Sequence, residues 1–95
     1  MNIISLHPID KEVSAVSLFK GELGSATAIQ LAKDAKFKEH TTKTPALLLC
    51  IAGKVKYEDE TGILQELNVG DYIHIVPLVT HWLNAALPSQ LILMK

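Results

Sequence analysis

Apolar positions recur with period two along most of this chain. From Gly53, the run Lys54-Val55-Lys56-Tyr57-Glu58 alternates polar and apolar, as a half-buried strand does. Asp59-Glu60-Thr61-Gly62 reads as a hairpin turn in which Gly62 takes positive φ at no steric cost, and Ile63 to Leu67 is the returning strand. Asn68-Val69-Gly70-Asp71 is a second tight turn, followed by a β-rich run from Tyr72 to Val76. Thr80 to Ala85 and Gln90 to Met94 are two more strands, parted by the breaker Leu87-Pro88-Ser89. In the first half, Ala26 to Leu31 alternates, with Ala26, Ala28 and Gln30 on one side and Thr27, Ile29 and Leu31 on the other. Phe37 to Thr42 and Pro45 to Ala52 are strand-like as well. Val13 to Lys20 fits a helical turn through Val13 and Val16 and a strand through Val16, Leu18 and Lys20; its clear neighbours decide for strand. Short strands at regular spacing, joined by turn chemistry, predict an all-β antiparallel sandwich or barrel. Pro8 separates an N-terminal arm, residues 1–8, from a single barrel domain over 9–95.

Composition narrows the setting. A chain of 95 residues holds one small domain, and a fold of this size buries only about 60–65% of its unfolded surface. A thin core favours pairing with a second copy, so a homodimer is expected, with Ile3, Ile4 and Leu6 of the arm in its interface. The formal net charge of -1 excludes the basic footprint of nucleic-acid binding. A 48% hydrophobic, 20% charged composition excludes a disordered tail. The single cysteine, Cys50, allows no internal disulfide and points to a reducing compartment. The first residues lack the pattern of a signal peptide, and the longest apolar run, Ala46 to Ala52, falls far short of the ~18–20 residues that span a bilayer. The expected setting is the cytoplasm, away from membranes.

Four histidines carry the candidate chemistry. His40 precedes the apolar strand that starts at Pro45, and His81 follows Pro77. A β-barrel brings such distant strands together, and neutral imidazole is both a metal ligand and a proton carrier. His40 and His81 are expected in one cavity, their nearest nitrogens about 3–5 Å apart, given metal–nitrogen bonds near 2 Å. His74 points outward if Ile73 and Ile75 face inward. No Ser/His/Asp arrangement can be read from spacing, and no catalytic residue is assigned. Cys50 shares a strand face with Ala46 and Leu48, where a buried thiol behaves as an inert small hydrophobe. Asp71 reads as a turn residue, Lys33 to Lys43 as a solvated rim, and Trp82 as a residue facing away from His81.

Two glycine- and histidine-bearing segments then resemble the motifs of the cupins, specifically the small single-domain barrels of that superfamily. The first motif, G-x5-H-x-H-x3-E-x6-G, runs from Asp34 through His40, Thr42 and Ala46 to Gly53. The second, G-x5-P-x-G-x2-H-x3-N, runs from Gly70 through Val76, Leu78 and His81 to Ala85. The resemblance covers roughly Ala26 to Met94 and implies an antiparallel double-stranded β-helix, or jelly roll. In the family, two histidines and a glutamate of the first motif and the histidine of the second hold a divalent metal. Only His40 and His81 keep those residue types here; Thr42 offers a neutral hydroxyl and Ala46 nothing. The resemblance therefore implies, at most, a weakly bound divalent metal on His40 and His81.

The functional expectation is a small organic ligand bound in the barrel mouth without chemistry, in a sensor or accessory role. Leu48, Cys50, Ile73, Ile75 and Leu83 around His40, Thr42 and His81 would form its pocket. The alternatives are a metal-dependent oxygenase or isomerase using His40 and His81, and a structural dimer whose cavity is filled by its own side chains.

Overall fold

The computed structural model describes residues 1–95. Nine strands follow the period-two text: β1 (Val13–Lys20), β2 (Ser25–Leu31), β3 (Lys36–His40), β4 (Ala46–Ala52), β5 (Val55–Asp59), β6 (Leu64–Leu67), β7 (Tyr72–Ile75), β8 (His81–Ala85) and β9 (Ser89–Met94). The ambiguous segment from Val13 is a strand, paired with β2 along its length. Most strand boundaries fall within one residue of the sequence expectation, among them β6, which starts at Leu64, and β9, which starts at Ser89; two differences are larger. The segment ending at Thr42 leaves the ladder at His40, and the arm forms a 3-10 turn over Ile3–Leu6, its first N–H groups met in part by Asn2 Oδ1, which accepts from the Ile4 N–H at 2.9 Å. No helix is long and apolar enough to cross a membrane.

The strands form two sheets, β1-β2-β9-β4-β7 and β3-β8-β5-β6, and every pair in them is antiparallel. Alternation delivers one side of each strand to the space between them: Leu48 and Cys50 from β4, Val55 and Tyr57 from β5, Leu83 and Ala85 from β8, Ile29 and Leu31 from β2, and Leu91 from β9. This is a jelly roll whose core is one continuous apolar cluster.

Chain reversal is set at five residues with left-handed backbone: Gly62 (φ 93), as its hairpin turn requires, and Asp34 (φ 67), Gly53 (φ 85), Gly70 (φ 91) and Leu78 (φ 66). The last four are the glycine positions of the two motifs, so the backbone keeps the turn even where the glycine is gone. Gly53 has no alternative, because a Cβ there would run into the Pro88 carbonyl and the Ser89 hydroxyl. Leu78 is different. It is exposed, and its left-handed conformation costs about 1–2 kcal/mol. Its N–H donates to the Thr42 carbonyl at 2.8 Å, which holds the strained turn in place and ties the β3–β4 loop to the β7–β8 loop.

Leu78→Gly should raise stability. Relief of the strain outweighs the added chain entropy of glycine by about 0.5–1 kcal/mol, a rise of about 2–8 °C in the thermal midpoint. Gly53→Ala should lower the midpoint sharply. Thermal unfolding followed by circular dichroism checks both, and a lowered midpoint for the Leu78 variant would refute the strain account.

Candidate functional site

β3 and β8 lie side by side, and His40 and His81 are direct cross-strand partners. A β-bulge in β3 makes this possible. Between Phe37 and His40 the strand carries one residue more than β8 does, so Phe37 pairs with Leu83 and His40 with His81, both on the inward face. The two imidazoles meet edge to face, ring centres 4.0 Å apart at 64°. Phe37 closes on His40 at 4.9 Å, and Tyr57 stacks on His81 at 5.7 Å and 24°.

Each imidazole is oriented by backbone. His40 Nδ1 lies 2.8 Å from the Lys38 carbonyl and His81 Nδ1 3.0 Å from the Val79 carbonyl. A carbonyl only accepts, so Nδ1 carries a proton in both rings; in buried His81, whose charged form burial disfavours, Nε2 then presents a lone pair. His81 is buried, and its Nε2 has no partner. Burial pushes its pKa below the ordinary histidine value, and neighbouring His40 adds to this; the Val79 carbonyl and Asp59 oppose it without prevailing. Asp59 flanks His81 on the other side, as its cross-strand partner in β5. Burial pushes the Asp59 carboxyl up. Its Oδ1 accepts from Thr61 N–H, Thr61 Oγ1 and Ile63 N–H, and these bonds hold its pKa below the usual carboxylate value.

The histidines adjoin two spaces. Inside is a cavity of about 10 Å³ lined by Ile29, Phe37, His40, Leu48, Ile75, His81, Leu83 and Leu93, room for about one water. Outside is an open groove of about 300 Å³ lined by Val13, Lys36, Phe37, Lys38, Glu39 and His40. Phe37 and His40 are common to both linings and form the wall between them.

Of the residues singled out in the sequence, Leu48, Ile75 and Leu83 join His40 and His81 around the inner cavity. Thr42, Cys50 and Ile73 do not line it. Thr42 lies beyond the end of β3, buried, with Oγ1 unpartnered. Cys50 sits four residues along β4 from Ala46, roughly 13 Å at ~3.3 Å per residue, and burial pushes its thiol pKa up. Ile73 is half-buried opposite Leu48. Ile29, Phe37 and Leu93 complete the lining. Strand parity signals Ile29 and Leu93; Phe37 is hidden, because simple alternation puts it on the face opposite His40. His74 is exposed against Tyr72, and Trp82 donates from Nε1 to Glu58 Oε2 at 3.2 Å on the outer side of β8. Asp71 closes its turn by accepting from the Asn68 N–H at 2.8 Å.

The residues present do not fit the divalent metal that the motif resemblance implies. No group of three His, Cys, Asp or Glu side chains converges, whereas catalytic zinc and open iron sites rest on three protein ligands. Two imidazoles sharing one ion keep their ring centres about 4.5–5 Å apart, given metal–nitrogen bonds near 2 Å. The 4.0 Å edge-to-face contact is that of packed rings.

No protein-family model and no curated protein matches the sequence. Solved structures do match in shape. A cupin superfamily protein from Desulfitobacterium hafniense superposes with a TM-score of 0.85 at 11% identity, over 98% of this chain and 84% of its own. A protein with a double-stranded β-helix domain from Klebsiella pneumoniae gives 0.85 at 14%, over 99% and 80%. An RmlC-like cupin from Shewanella frigidimarina gives 0.80 at 20%, over 92% and 78%. The chain has the cupin fold, an antiparallel double-stranded β-helix.

The buried imidazoles make stability depend on pH. His81 and His7, whose pKa burial also lowers, stay neutral in the fold, while the unfolded chain takes up protons as pH falls below about 6.5. Their contribution is complete above that value and is lost as pH falls through it towards the lower folded values. The thermal midpoint should therefore drop between pH 7.5 and 5.5, and His81→Gln should flatten part of the slope. An unchanged slope in that variant would remove His81 from the account.

Proposed function

We propose that this protein is a non-catalytic binding module for a small organic acid carrying a hydroxyl, held in the groove over Phe37 and His40. The observation that carries the reading is the unpartnered Nε2 of His81 behind a two-residue aromatic wall, with a groove of about 300 Å³ on the far side. Small-ligand sites begin at about this volume. An internal space of about 10 Å³ accepts no organic molecule, so the ligand body belongs outside, and its polar tip reaches His81 only if Phe37 and His40, the wall between, part. With Nδ1 protonated, Nε2 is an acceptor, complementary to a hydroxyl donor or a bridging water. Val13, Phe37 and His40 supply apolar and aromatic contact. Lys36 is paired with Glu39 at 2.5 Å, which leaves Lys38 to meet a carboxylate at the rim. Binding without a cofactor suits a sensor or an accessory subunit.

The second reading, a structural barrel filled by its own side chains, draws support from the same small interior. The two are separated by nuclear magnetic resonance titration with 4-hydroxybenzoate and with lactate, each with and without EDTA. The binding reading predicts saturable shifts at Phe37, Lys38 and His40 with a Kd of about 1 mM or tighter for at least one probe. They should be unchanged by EDTA and weakened several-fold in Lys38→Ala. No saturable shift with either acid would favour the structural barrel, and shifts abolished by EDTA would return a metal to the site.

A further inference from the structure

We infer that residues 1–8 form a pH-sensitive latch: the arm docks on the barrel through neutral His7 and is released, with the barrel still folded, when His7 takes up a proton. The inference is independent of the ligand groove and of the paired histidines His40 and His81.

The arm has one anchor. Its 3-10 turn, Ile3–Leu6, packs on β2 yet buries none of its own residues. Met1, Ile4 and Leu6 are exposed, and Ile3 is half-buried. His7, only 7% exposed, is the sole buried residue before β1. Its Nδ1 lies 2.7 Å from the hydroxyl of Ser14, itself buried near the start of β1. From His7 the chain leaves through Pro8 to Lys11, all exposed and without a hydrogen bond to the barrel. That stretch is a hinge on which the arm can swing without disturbing a strand. A segment held by one residue has little reserve.

The anchor suits only the uncharged ring. His7 Nε2 is buried and has no partner. In a neutral ring that leaves at most one hydrogen bond unmade, because Ser14 can either donate to Nδ1 or accept from it. An imidazolium donates from both nitrogens. Ser14 can meet one of them and nothing meets the other, so the charge is buried without a partner. No carboxylate stands ready to take it. β1 carries a single charge, Lys20, six residues past Ser14, and β2 carries none. Around the hinge, Asp10, Lys11 and Glu12 are exposed, and burial alone displaces the His7 pKa, downward. The contribution of His7 to docking is therefore complete above about pH 6.5, the ordinary histidine value that the free arm regains. It weakens as pH falls through that value, by at most about tenfold per unit.

The test is amide hydrogen exchange, expressed as protection over the intrinsic rate, at Ile4, Ser5 and His7. Their N–H groups donate within the arm to Asn2 Oδ1, the Asn2 carbonyl and the Ile4 carbonyl. One isolated turn does not persist off the barrel, so this protection measures docking. Between pH 7.5 and 5.5 it should fall several-fold, by no more than about tenfold. The fall should track titration of the His7 ring, followed by nuclear magnetic resonance in the same samples, while the amides of β2 and β9 stay protected. His7→Gln, which keeps a neutral polar side chain opposite Ser14, should give a profile flat in pH. Protection that ignores pH in the native chain overturns the inference, as does a fall that persists in His7→Gln or one that accompanies loss of the barrel.

Discussion

The hydrogen bond from the Leu78 N–H to the Thr42 carbonyl is the constraint on which the interior arrangement rests. It joins the loop that leaves β3 to the loop that enters β8, and those two strands carry the two central imidazoles. With the loops tied, His40 and His81 can only meet across the ladder, and the bulge in β3 decides which side chains meet them. A leucine in left-handed backbone is tolerated here because the tie satisfies two backbone groups at once. Local strain is thus the counterpart of a fixed site.

Electrostatics follow from that placement. Once both Nδ1 atoms face backbone carbonyls, the orientation of each ring is settled, and the buried Nε2 of His81 is a lone pair among apolar neighbours. Such an interior favours the neutral form of His81, and the carboxylate of its cross-strand partner, Asp59, is occupied by its own turn. The unpartnered Nε2 of His81 is thus an acceptor in an apolar lining.

Strand rhythm was legible because its physical cause is local: alternation, glycine turns and the Pro88 breaker each act over a few residues. The meeting of His40 and His81 was legible from motif spacing, since both fall at fixed offsets from turn positions that the backbone retains. Three features were not. The bulge at Lys38–Glu39 has no glycine or proline to announce it, so Phe37 went unread as a cavity residue. Thr42 shares parity with His40 in the text, yet the ladder ends at His40, and parity has no meaning beyond a strand. The volume left between the sheets depends on how Tyr57, Phe37 and Leu93 fill it together, a many-body packing result that no single spacing encodes.

The place of β9 has a kinetic meaning. It is the last strand in the chain, yet it lies in the middle of its sheet, hydrogen-bonded to β2 on one side and β4 on the other. Until it emerges from the ribosome, the hairpin of β1 and β2 has no ladder connecting it to β4, and the face of Leu48 and Cys50 has no neighbour on that side. Folding of this sheet cannot proceed segment by segment during synthesis; it waits for β9, whose pairings with β2 join residues more than half the chain apart. Such non-local closure is slow. During that wait, β2 and β4 each present an open edge, and the nascent chain is at its most vulnerable to pairing with the wrong strand.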